Sequence, residues 1–141
     1  MKLTLRLLAV SFVLLAVWVP RASAQDTDTY IISTYRIAPG QHIAFLEWMA
    51  GQEAASRDAG LPVGVWYVHQ NGASWDFLTI APDVDLTDEQ VAAGDAAAQA
   101  RGLAIGAAAG IQLRQYVAEH TDTFAGGPMT ATELLAAARG N

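Results

Sequence analysis

The chain has 141 residues, with 8 Lys+Arg, 14 Asp+Glu and no cysteine. That length fits one domain with room for a packed core. The acidic balance repels phosphate backbones and excludes a nucleic-acid partner, and the lack of thiols excludes disulfide staples, a thiol nucleophile and zinc–thiolate sites.

Met1–Ala24 reads as a secretory signal peptide: Lys2 and Arg6, an apolar run from Leu7 to Val19, then Pro20 and Ala22-Ser23-Ala24. The run is shorter than the roughly 20 residues of a membrane-spanning helix, so no membrane anchor is expected after cleavage. The expected mature chain, 25–141, is a single domain with five arginines, no lysine and 14 acids. Its expected location is secreted or periplasmic.

Tyr30–Ile37 is rich in β-branched and aromatic residues and stops at Pro39-Gly40, which predicts a strand closed by a turn. Gln41–Ala59 predicts a helix with a buried stripe of Ile43, Leu46, Ala50, Phe45 and Met49. Gly60 ends it. Pro62–Gln70 and Ser74–Ile80 predict two strands joined at Asn71-Gly72, a favoured pair for tight hairpin turns. Thr87 and Gln90 form a capping box that opens a second helix running to about Ala109, with a break allowed near Arg101-Gly102. Ile111–Thr121 predicts a fourth strand and Phe124–Met129 a loop. A second capping box, Thr130 with Glu133, opens a short terminal helix.

The order β-α-β-β-α-β is the ferredoxin-like pattern of the α+β class. It implies a four-stranded antiparallel sheet with both helices on one face and an extra C-terminal helix. The strands carry apolar side chains in both phases, so the face opposite the helices needs cover. Pairing two such sheets as a homodimer supplies it.

Tyr35-Arg36-Ile37-Ala38-Pro39-Gly40 leads straight into a helix bearing Phe45 and Trp48, and the hairpin Trp66–Ile80 follows. This arrangement resembles the dimeric α+β barrel superfamily, in particular NIPSNAP-like and antibiotic-biosynthesis-monooxygenase-like domains, over roughly residues 30–122. The resemblance implies a homodimer whose sheets enclose a cavity. Members of that superfamily include cofactor-free oxygenases, haem-degrading enzymes, isomerases, decarboxylating enzymes and domains with no assigned activity.

Polar residues among the strands are the candidates for chemistry. His69 ends the second strand, and His120 ends the fourth with Asp122 two residues on. An acid so placed can orient an imidazole as a base near neutral pH. Asp76 falls in a strand between Trp75 and Phe77, where aspartate is depleted. Arg36 is its candidate counter-ion. Tyr35, Trp66, Tyr67 and Trp75 are candidates to line an aromatic pocket with Arg36. Asp83, Asp85, Asp88 and Glu89 lack the spacing of a calcium loop, and no His-Glu-x-x-His pair is present, so neither metal nor cofactor is expected.

Three functions fit these residues. The first is an exported dimeric domain binding a small apolar or aromatic molecule in a sheet-lined cavity. The second is a cofactor-independent oxygenase or isomerase using His69, Asp76 or His120 as catalytic residues. The third is a structural module that docks another protein.

Overall fold

The computed structural model describes residues 28–140, and the signal peptide expected at Met1–Ala24 lies outside them. Strand β1 (Thr29–Ile37) is followed by helix α1 (His42–Asp58), strands β2 (Val65–Val68) and β3 (Phe77–Pro82), and helices α2 (Asp88–Ala100) and α3 (Gly106–Tyr116). Strand β4 (Val117–Gly126) and helix α4 (Ala131–Arg139) complete the order. The four strands form one sheet in the order β2-β3-β1-β4, every neighbour antiparallel. This is the ferredoxin-like α+β topology.

Alternation divides the sheet into two faces. Ser33, Tyr35 and Ile37 of β1 are buried on the helix side. Phe45 of α1 is fully buried at 0% exposure and forms the core with Tyr35 and Ile37, with Met49, Trp66, Phe77, Leu113, Tyr116 and Val117 packed around them. Its ring lies 5.2 Å from that of Tyr35, 5.9 Å from Phe77 and 6.0 Å from Trp66. Ile43 and Leu46, expected in the buried stripe, face water instead; Ile43 is 68% exposed. The sheet meets α1 along Phe45 and Met49, a narrower contact than the composition suggested.

Helices α1 and α2 end alike. Gly60 and Gly102 adopt positive φ, 69° and 73°, just past the helix end. The next residue's N–H returns to a carbonyl in the last turn, Leu61 to Ser56 and Leu103 to Ala98. This is the Schellman closure, which turns the following leucine back onto the helices. The two leucines are exchanged between partners. A Cβ at Gly94 of α2 would stand 3.0 Å from Leu61, and one at Gly51 of α1 would stand 3.4 Å from Leu103. The glycines that weaken both helices therefore make room for each other's closing residue.

Two elements differ from their sequence reading. Ile111–Tyr116 is helical, and β4 begins only at Val117 and runs on to Gly126, through residues read as a loop. Leu113 and Tyr116 share a helix face and reach the core, which fixes this stretch as helix. The hairpin register pairs Val65 with Ile80 and Val68 with Phe77, so the turn centres on Gly72-Ala73 and not on Asn71-Gly72. Gly72 has φ 111°, a conformation that suits glycine. The second helix divides at Gly102, where the sequence allowed a break, into α2 and α3. Both capping boxes are formed.

The face away from the helices is open among the described residues. Val65 and Tyr67 are 56% and 51% exposed, and Tyr30, Ile32, Leu78 and Ile80 are partly so. Toward β4 this face turns polar, with Glu119, Thr121 and Thr123.

Candidate functional site

A cleft of about 390 Å³ lies between α1 and the helix side of the sheet. The strand register builds its floor. Thr79 of β3, Ser33 of β1 and Asp122 of β4 stand side by side in one row across three strands. In the next row Tyr35 stands opposite His120. Ile31 and Ala81 extend the floor, and Trp66 closes it on the β2 side. The roof is α1, through Met49, Gln52, Glu53 and Ser56, whose spacing puts them on one helix face. Pro62, Val63 and Gly64 form the rim. Gly64 fits closely there: an added Cβ would meet the Ile80 carbonyl at 3.1 Å and the Ala81 side chain at 3.2 Å, so the neighbours would have to give way.

The floor is a connected polar network. The Ser33 hydroxyl donates to Asp122 Oδ1 at 2.6 Å. His120 Nε2 lies 3.0 Å from the same oxygen. The His120 side chain is 27% exposed and that of Asp122 50%. The His120 ring stacks on Tyr35 at 4.7 Å, and the Tyr35 ring also stacks with Trp66 at 5.7 Å. Burial pushes the Tyr35 hydroxyl above the usual phenol range; the Ser33 and Thr79 hydroxyls beside it pull it partly back, and the Asp122 charge raises it. On the roof, Glu53 accepts from the Trp66 indole N–H at 2.5 Å and from Arg57 at 2.8 Å. The Gln52 amide nitrogen is buried without a hydrogen-bond partner among the described residues.

Of the expected site residues, Tyr35, Trp66 and His120 come together here. The others stand elsewhere. Arg36 lies on the open face and pairs with Glu119 at 2.9 Å, not with Asp76. Tyr67 is on that same face. Asp76 precedes β3 instead of sitting within it, and its Oδ2 accepts the Ile37 N–H at 2.6 Å. There it closes the free end of β1 beside the register shift at Arg36/Ile37. Its other oxygen lies 3.5 Å from His42 Nε2. A backbone amide and a neighbouring histidine explain this carboxylate without a ligand. His69 and Trp75 pack together in the hairpin turn, ring centres 4.9 Å apart. The His69 N–H donates to the Asp76 carbonyl, and His69 Nε2 is buried without a partner among the described residues.

Ser33, Thr79, Gln52 and Glu53 were not anticipated. Ser33 and Thr79 follow the strand alternation of Tyr35 and Phe77, so their inward direction was available from period alone. Their meeting with Asp122 depended on the full length of β4. The cleft also differs in place from the expected one: helix and sheet form it within one chain, whereas paired sheets were expected to enclose it.

The chain matches no family model and no curated protein. Among solved structures it is similar to a NIPSNAP family protein from Agrobacterium tumefaciens strain C58, at 14% identity over 73% of this chain and 94% of that one, TM-score 0.47. A NIPSNAP domain protein from Burkholderia xenovorans gives 17%, 73% and 96%, TM-score 0.39. A further Agrobacterium tumefaciens protein gives 19%, 73% and 95%, TM-score 0.44. The chain thus has the ferredoxin-like α+β fold by its own strand order, and the solved structures it is similar to include NIPSNAP family proteins.

Proposed function

We propose that this chain is an exported domain that binds a small apolar or aromatic molecule in the cleft between α1 and the sheet, and that it works as a two-fold pair. The observation that carries the binding reading is the cleft itself. Its volume of about 390 Å³ falls at the small end of ligand sites, where a few polar groups orient a ligand among apolar walls. The aromatic faces of Tyr35 and Trp66, the Met49 side chain and the polar row Ser33–Thr79–Asp122 match that description.

Pairing is supported by the open sheet face. Val65, Tyr67, Leu78 and Ile80 form a neighbouring apolar group on β2 and β3, of the kind that marks an interface. A two-fold contact sets the same surface against itself.

Two measurements test the reading. Adding 2-tetralone, a neutral two-ring ketone, to the 15N-labelled chain should shift the Trp66 indole N–H and the amides of Ser33 and Tyr35; unmoved signals would refute the cleft. Light scattering at micromolar concentration should give twice the chain mass, and Val65→Glu should halve it. A wild-type monomer would end the pairing reading.

A further inference from the structure

We propose that the cleft is a proton-transfer site, with His120 as the base and a neutral carbonyl compound bearing an acidic C–H beside its carbonyl as the substrate class. The inference rests on the binding reading above and adds a reaction to it.

The contacts assign the parts. Asp122 Oδ1 accepts the Ser33 hydroxyl at 2.6 Å, and His120 Nε2 lies 3.0 Å from the same oxygen as an ion-pair contact. Asp122 is thus a positioning residue: it stands beside the His120 ring at the floor of the cleft, and its charge faces the imidazolium that forms when His120 takes up a proton. Ser33 has spent its only proton on Asp122. The Tyr35 hydroxyl lies beside those of Ser33 and Thr79, and both Tyr35 and Thr79 line the cleft, where either can turn its donor toward a ligand oxygen. Burial keeps Tyr35 protonated well beyond neutral pH, which preserves that donor.

Charge selects the substrate. Glu53 is neutralised by Arg57, which leaves Asp122 and His120 as the ionisable pair of the floor. An added anion would face the Asp122 carboxylate, whereas a neutral molecule meets none of that repulsion. The ring row Trp66–Tyr35–His120 favours a flat one.

The step balances without an oxidant. The His120 imidazole removes the proton from the carbon beside the carbonyl. The C–H electron pair becomes the carbon–carbon double bond of an enolate, and the carbonyl π pair moves onto oxygen. That oxygen accepts a hydrogen bond from Tyr35. Protonated His120 then returns the proton, to the same carbon in simple exchange or to a conjugated one in isomerisation.

Proton exchange into 2-tetralone in D2O, followed by 1H NMR, reads the step directly. The chain should accelerate deuteration next to the carbonyl, with a rate that rises with pH to a plateau, as a base requires. His120→Gln should lower the accelerated rate by about 100-fold, the span of general-base catalysis, while 2-tetralone still shifts the Trp66 indole signal. Asp122→Asn should lower the accelerated rate while 2-tetralone still shifts the Trp66 indole signal, because the imidazolium loses the carboxylate that faces it; a purely structural Asp122 would lose rate and binding together. Binding without acceleration over buffer, or equal rates in wild type and His120→Gln, would overturn the proton-transfer proposal and leave the binding reading standing. No shift at Trp66 would overturn both.

Discussion

Phe45→Ala is the sharpest test of how core and cleft are joined. The ring is fully buried and lies within 5.2–6.0 Å of three aromatic partners, Tyr35, Phe77 and Trp66. Truncating a core phenylalanine costs about 3–5 kcal/mol, and aromatic pairs at such distances each add roughly 0.5–1.5 kcal/mol beyond area burial. Three pairs lost together put the expected cost at about 4 kcal/mol or more, a large part of the roughly 5–15 kcal/mol of a typical domain. Phe45→Leu keeps most of the volume but loses the ring pairs, for about 1.5 kcal/mol at the low end of each. Urea unfolding followed by tryptophan fluorescence, at one fixed chain concentration, measures both. With a slope of about 2 kcal/mol per molar, Phe45→Ala should lower the midpoint by about 2 M. A loss below about 1 kcal/mol with an unchanged slope would refute the core described here.

Asp76→Ala should cost about 1 kcal/mol in the same assay, because the Ile37 N–H loses its acceptor at the end of β1 while water reaches part of the gap; Asp76→Asn, which keeps an acceptor oxygen, should cost less. Equal losses would argue against the end-closing role. Thr87→Ala removes the hydroxyl that accepts the Gln90 N–H in the α2 capping box and should cost about 1 kcal/mol, seen as a fall of roughly 4 °C in Tm. Tyr35 sets an alkaline limit. Its folded pKa is raised by burial above the unfolded value of about 10, so its contribution is complete below that pH and is lost as pH rises through the folded value. The urea midpoint should therefore fall more steeply above about pH 10 in wild type than in Tyr35→Phe; parallel curves would contradict the burial of this hydroxyl.

The first strand and first helix were legible because their signals are local: a β-branched run, Pro39-Gly40, then a helix stop at Gly60. The fourth strand was not. Tyr116 passes from helix to Val117 in strand with no glycine or proline between them, so nothing in the chain marks the boundary. Thr121-Asp122-Thr123 looks like a polar loop until β1 is laid beside it and supplies nine residues of partner. His120 was chosen for the acid two positions on, and that pairing is made. Asp122 in turn meets Ser33, 89 residues earlier, a contact no local pattern announces. Arg36 and Asp76 failed as a pair for a geometric reason. Asp76 turns to the backbone at the end of β1, while the pairing of β1 with β4 sets Glu119 directly across from Arg36.

The two edges of the sheet are unequal. β2 offers four residues and β4 ten, so strand-by-strand growth of an assembly has one long template and one short one. Glu119 and Asp122 place charge along the long template, where an incoming strand of this acidic chain would meet its own sign. Substitutions that neutralise both positions would thus favour fibres growing outward from the β4 side, a liability separate from any change in folding.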